Sequence, residues 1–134
     1  MRRFDWTVIR SSATVGLLVV VPAALISDLL FDRTDALWLA LLFAIVTLLG
    51  FIAAGYAAGR QRTDIPMSHG ALAAVVCYAV VQAFGTIKRL VADEEINVIA
   101  YPFIAMIALT CGMAGALFAD WHLRRTRRTA EPLA

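Results

Sequence analysis

Four apolar runs, at positions 13–31, 36–59, 71–87 and 98–119, take up most of the chain, and the charged residues fall almost entirely between them. Inside each run the apolar residues follow one another without leaving a polar face. A soluble helix of this length would carry its apolar residues on one side only, and a membrane β-strand would alternate them with polar ones. The runs hold 19, 24, 17 and 22 residues. A helix rising ~1.5 Å per residue needs about 20 to cross ~30 Å of hydrocarbon. The third run reaches spanning length once its flank to Arg89 is counted. The pattern predicts an all-α fold, a single-domain integral membrane bundle of four antiparallel transmembrane helices. They lie at about 13–31, 36–59, 71–89 and 98–119, with a basic cytoplasmic tail at 120–134. Short loops favour helices that pack in sequence order.

Composition and charge add location and orientation. Hydrophobic residues make up 61% of the chain, charged residues 16%, and mean hydropathy is +0.78, whereas a soluble domain is about one quarter charged. Lys and Arg set membrane orientation by their excess in cytoplasmic loops. One side of the predicted bundle holds nine of them: Arg2, Arg3, Arg10, Arg60, Arg62, Arg124, Arg125, Arg127 and Arg128. The other holds three: Arg33, Lys88 and Arg89. Both termini are therefore expected in the cytoplasm, and the protein in the inner (plasma) membrane of a bacterium. Arg2, Arg3 and Arg10 ahead of an apolar stretch resemble a signal peptide, but no small-x-small cleavage site follows, so the first run is read as a retained span. Trp6, Trp38, Tyr56 and Trp121 stand near run ends, where amphipathic rings favour the headgroup level.

Candidate chemistry is sparse. Gly55 and Gly59 share a helix face, as do Ala54 and Ala58, and run four carries Ala108, Gly112 and Ala116 with Gly115 beside them. Small residues at this spacing let two backbones approach and gain dispersion contacts that lipid cannot match. Gly55, Gly59, Gly112 and Ala116 are thus the candidate helix-packing seam. It serves either packing within one bundle or contact with a second copy or partner helix. In the third run Tyr78, Gln82, Thr86 and Arg89 share a face in the outer half of the membrane. A side-chain amide in lipid needs a partner, so Gln82 is expected to face the interior in an interhelical hydrogen bond. The other reading of this stripe is the lining of a small polar path. Lys88 and Arg89 can snorkel to the outer interface, where Asp28 is placed to pair with Lys88.

Other features point to structure. Cys77 and Cys111 lie at matching depth but form no C-x-x-C pair and are read as small packing residues. Pro22 and Pro102 are expected to bend their helices. Asp64 or Ser68 is expected to cap the third helix, with Pro66 in its first turn. His69 has no second ligand nearby in sequence. Arg124, Arg125, Arg127 and Arg128 form a juxtamembrane cluster suited to anionic lipids. Nucleic-acid binding would need a larger basic surface with interleaved aromatics. No catalytic, cofactor-binding or metal-binding constellation is present, and no ionisable residue sits mid-run, as coupled transporters usually require.

The stretch Gly55-Tyr56-Ala57-Ala58-Gly59-Arg60, followed by Ser68-His69-Gly70-Ala71-Leu72, resembles the YrzE-like family of small bacterial four-span membrane proteins. That family is functionally uncharacterised, so the resemblance implies fold and location and assigns no catalytic residue. The expected function is that of a non-enzymatic membrane protein acting through helix association, as a homo-oligomer or small accessory subunit. The alternative is a small transporter or channel along the third helix.

Overall fold

The computed structural model describes residues 5–31, 37–61, 63–96 and 98–130; the side chains of Asp28, Phe31 and residues 128–130 lie outside the description. Four helices follow in order: α1 (Trp6–Phe31), α2 (Leu37–Gln61), α3 (Pro66–Val91) and α4 (Ala100–Ala130). Each contains a stretch long and apolar enough to cross a membrane, and the described residues include no strand. Many large apolar side chains point outward, Leu18, Leu25, Leu41, Phe84 and Phe103 among them, while Phe51, Ile9 and Val20 are buried. The interior is built largely from small residues, among them Ala13, Ala54, Ala58, Ala73, Ala74, Ala108 and Ala116. This reverses the soluble pattern and suits a bundle whose surroundings are as apolar as its side chains.

The helices outrun the apolar runs, and their ends explain why. Asp5 caps α1: its carboxylate accepts the backbone N–H groups of Thr7 and Val8 at 3.1 and 3.4 Å, so two polar turns precede the apolar run. At α3 the expected cap is corrected. Ile65, and neither Asp64 nor Ser68, holds the N-cap position, without a side-chain cap bond, while Pro66 takes the first turn as expected. Proline suits that position because its missing N–H would be unpaired there anyway. The end of α3 closes with Asp93 in the left-handed region at φ 55°. The Glu94 N–H reaches the Arg89 carbonyl at 3.0 Å and the Asp93 N–H reaches Leu90 at 3.5 Å, the bonding pattern of a Schellman motif. Pro102 lies in the first turn of α4, so it opens that helix; only Pro22 stands inside one. The basic segment after 120 is no loose tail. α4 runs unbroken for 31 residues, about 46 Å at ~1.5 Å per residue, and carries the arginines out of the apolar zone on a helix.

Packing does not follow sequence order around a ring. The most extensive contact joins α2 to α4, α2 and α3 also touch, and among the described residues α1 and α4 make none. The perimeter therefore runs α1, α2, α4, α3. Ser12 meets Gln61, and Gly16 lies against Gly50 and Ala54, so α1 and α2 run in opposite directions. Gly70 lies against Ala116 while Tyr78 meets Tyr101, which sets α3 and α4 opposed as well. The starts of α1 and α3 and the ends of α2 and α4 share one end of the bundle. It carries Arg10, Arg60, Arg124, Arg125 and Arg127 and is called here the basic end.

Candidate functional site

The small residues singled out in sequence meet one another inside the chain. Gly55 of α2 faces Gly112 of α4 so closely that a Cβ on Gly55 would strike the Gly112 backbone. One turn on, a Cβ on Gly59 would lie 2.8 Å from Ala116 Cα. The seam continues to places the sequence had not flagged. Gly70 opens α3 against Gly112 and Ala116, with 2.6 Å from its hypothetical Cβ to that of Ala116. On the far side of α2, Gly16 of α1 packs on Gly50 and Ala54. Gly55, Gly59, Gly112 and Ala116 are all buried, so their surface is spent within one bundle.

At the basic end, a polar cluster ties α1 to α2 and α3. His69 is fully buried. Its Nε2 accepts the Asp5 N–H at 3.2 Å, and its Nδ1 lies 3.2 Å from the Ile65 carbonyl. Since a backbone N–H can only donate and a carbonyl can only accept, these contacts place the ring proton on Nδ1. Ser12, also fully buried, accepts from Gln61 Nε2 at 3.2 Å, and Ser11 lies 3.3 Å from Gln61 Oε1. A histidine just where an apolar run begins was the only hint of this cluster in sequence. Beside it an aromatic ladder joins α2 and α4. Arg60 lies over Tyr56 at 6.0 Å, Tyr56 meets Phe118 at 6.0 Å, Phe118 stacks on Trp121 at 5.7 Å, and Arg125 covers Trp121 at 5.0 Å. Arg124 pairs instead with Asp120 one turn back, at 2.9 Å. Arg127 is exposed, and the Arg128 side chain lies outside the described residues.

The polar stripe of α3 divides. Tyr78 donates to the Tyr101 carbonyl at 2.9 Å, and Thr86 bonds the Tyr101 hydroxyl at 3.1 Å. Tyr101, which the sequence reading had passed over, gathers both groups onto α4. Gln82 does not join them. It is half-buried and has no hydrogen bond among the described residues. Among the described residues no buried side-chain polar atom lacks a partner, so its amide is partly accessible and not enclosed in the interior as expected. Lys88 and Arg89 are exposed, and the Asp28–Lys88 pairing falls outside the described side chains. Cys77 and Cys111 are free thiols. Among the described residues no three His, Cys, Asp or Glu side chains gather as a metal site.

Four helices able to cross a bilayer, small inside and apolar outside, fit an integral, multi-pass membrane protein. Comparison with family models, curated proteins and solved structures returns no match. The YrzE-like resemblance therefore rests on the stretch from Gly55 to Leu72 alone.

Proposed function

We propose that this chain is a non-enzymatic protein of the bacterial inner membrane, with both termini cytoplasmic, that works through helix–helix association as a homo-oligomer or a small accessory subunit. The nine-to-three distribution of Lys and Arg supports the orientation, and the likeness to the YrzE-like family supports the location. The observation that carries association is Gln82. About 24 Å along α3 from Pro66, its amide lies well within the apolar zone and finds no partner among the described residues of its own bundle. An amide in hydrocarbon is stabilised by a bond across to another helix, worth about 0.6–2 kcal/mol. Ala79 and Ala83, one turn apart on the face of α3 adjoining Gln82, are exposed and small enough for a second helix to come close. The seam of Gly55, Gly59, Gly112 and Ala116 then builds the subunit, and α3 presents the contact.

Native mass spectrometry from nanodiscs tests this. A defined oligomer, or a retained second polypeptide, is the expected state. Gln82→Leu should shift it to monomer while leaving the melting temperature of the bundle unchanged or raised. A wild-type monomer, or an assembly indifferent to Gln82→Leu, would overturn the proposal. A polar path along α3 is the weaker reading, because the hydroxyls of Tyr78 and Thr86 are engaged by Tyr101.

A further inference from the structure

On the outward face of the first two turns of α1 lies a shallow cleft of about 350 Å³ lined by Trp6, Thr7, Arg10, Ser11 and Thr14. We propose that it binds the phosphate of an anionic phospholipid in the leaflet at the basic end of the bundle. All five lining residues are exposed, and the buried face of α1 (Ile9, Ser12, Ala13 and Gly16) is turned the other way. Among the described residues only α1 lines the cleft.

Its donors select the ligand. Thr14 spends its hydroxyl on the Arg10 carbonyl at 2.9 Å, and Ser11 divides its own between the Val8 carbonyl and Gln61 Oε1. Three donors remain. The Arg10 guanidinium, the Thr7 hydroxyl and the Trp6 indole N–H have no hydrogen bond or ion pair among the described residues. They stand at positions i+4, i+1 and i of one helix face. No carboxylate lines the cleft. The Asp5 carboxylate accepts the Thr7 and Val8 N–H groups of the cap. A phosphodiester is an acceptor-only anion, and guanidinium matches it bidentately. The positive end of the α1 dipole adds to the same preference. A zwitterionic choline lipid carries the same phosphate, but its ammonium would find no carboxylate in the cleft. Depth agrees: residues 6–14 rise about 12 Å, enough to cross a headgroup layer of about 5–8 Å and reach the first acyl carbons. The site requires only that the helices stand in a bilayer, so it is independent of self-association through Gln82.

The full chain in detergent, titrated with phosphatidylglycerol, phosphatidylcholine or inorganic phosphate and read by native mass spectrometry, decides the matter. Phosphatidylglycerol should be retained in preference to phosphatidylcholine. Arg10→Gln should weaken that retention about tenfold, the size of one lost charge-assisted hydrogen bond. Arg10→Lys should fall between the two. Arg60→Gln removes the same charge from the last turn of α2 at the basic end and should leave retention nearly unchanged. Melting temperature without lipid should not move for Arg10→Gln, whose side chain has no partner to lose among the described residues. Equal losses for Arg10→Gln and Arg60→Gln would reduce the effect to net charge and overturn the site. Equal retention of the two lipids, or displacement by inorganic phosphate as efficient as by phosphatidylglycerol, would overturn the lipid assignment.

Discussion

The half of the bundle near the basic end and the half away from it are held by different means. Near the basic end, backbone meets backbone. Gly55, Gly112 and Gly115 leave no room for even a methyl group, and His69 and Ser12 close the remaining gaps with buried hydrogen bonds. Away from it, Gly85 has open space where its Cβ would stand, Phe84, Ile87 and Phe103 face outward, and two hydroxyl bonds to Tyr101 join α3 to α4. Lipid removes the usual hydrophobic reward for burying large side chains, so association depends on close dispersion contacts and on polar groups that lack any other partner. The two halves use these two resources in different proportions. Shape dominates one and a few directional bonds the other, so the halves should differ in what they tolerate.

Substitutions at equivalent residue types can break this contrast. Gly55→Leu forces α2 off α4, and its cost should exceed the about 1–3 kcal/mol typical of overpacking because the obstacle is backbone. Denaturant or thermal unfolding in detergent measures it; an unchanged midpoint would sink the idea of a backbone seam. Tyr78→Phe removes one interhelical bond at little cost in volume. It should cost about 0.6–2 kcal/mol, and a loss as large as that at Gly55 would mean the half away from the basic end is packed no more loosely. Gly85→Ala should have the smallest effect and the opposite sign. It adds a methyl group to open space and removes backbone freedom from the unfolded chain, a gain of up to about 1 kcal/mol. Destabilisation there would place an unseen neighbour against Gly85.

Much of the architecture could be read directly from the residues. Each run announces its span because a residue's preference for hydrocarbon is its own property, summed along the chain. The small-residue spacing at Gly55 and Gly59 likewise marks a face on which helices approach, although it leaves open whose helix approaches. Other features were less legible. Asp5, whose carboxylate caps α1, was not singled out in the sequence. The arginines after Asp120 looked like a tail because charge lowers hydropathy, yet Arg and its neighbours are adequate helix formers and Asp120 bonds Arg124 one turn on. Gln82 and Tyr78, one turn apart, read as one stripe. Gln82 stands one turn from both Tyr78 and Thr86, yet those two bond Tyr101 of α4 and Gln82 bonds none of the described residues, so a shared face does not by itself assign partners.

Four apolar helices, their approximate limits and the concentration of arginine on one side follow from the sequence alone, because each depends on single residues and their neighbours along the chain. That α2 packs on α4, that Gly55 meets Gly112 of the same chain, that His69 holds the start of α1, and that among the described residues α1 and α4 stay apart and Gln82 has no partner were decided by tertiary structure. Each depends on how a helix is turned about its own axis, and a helix apolar on every side carries little record of that rotation until another helix closes on it.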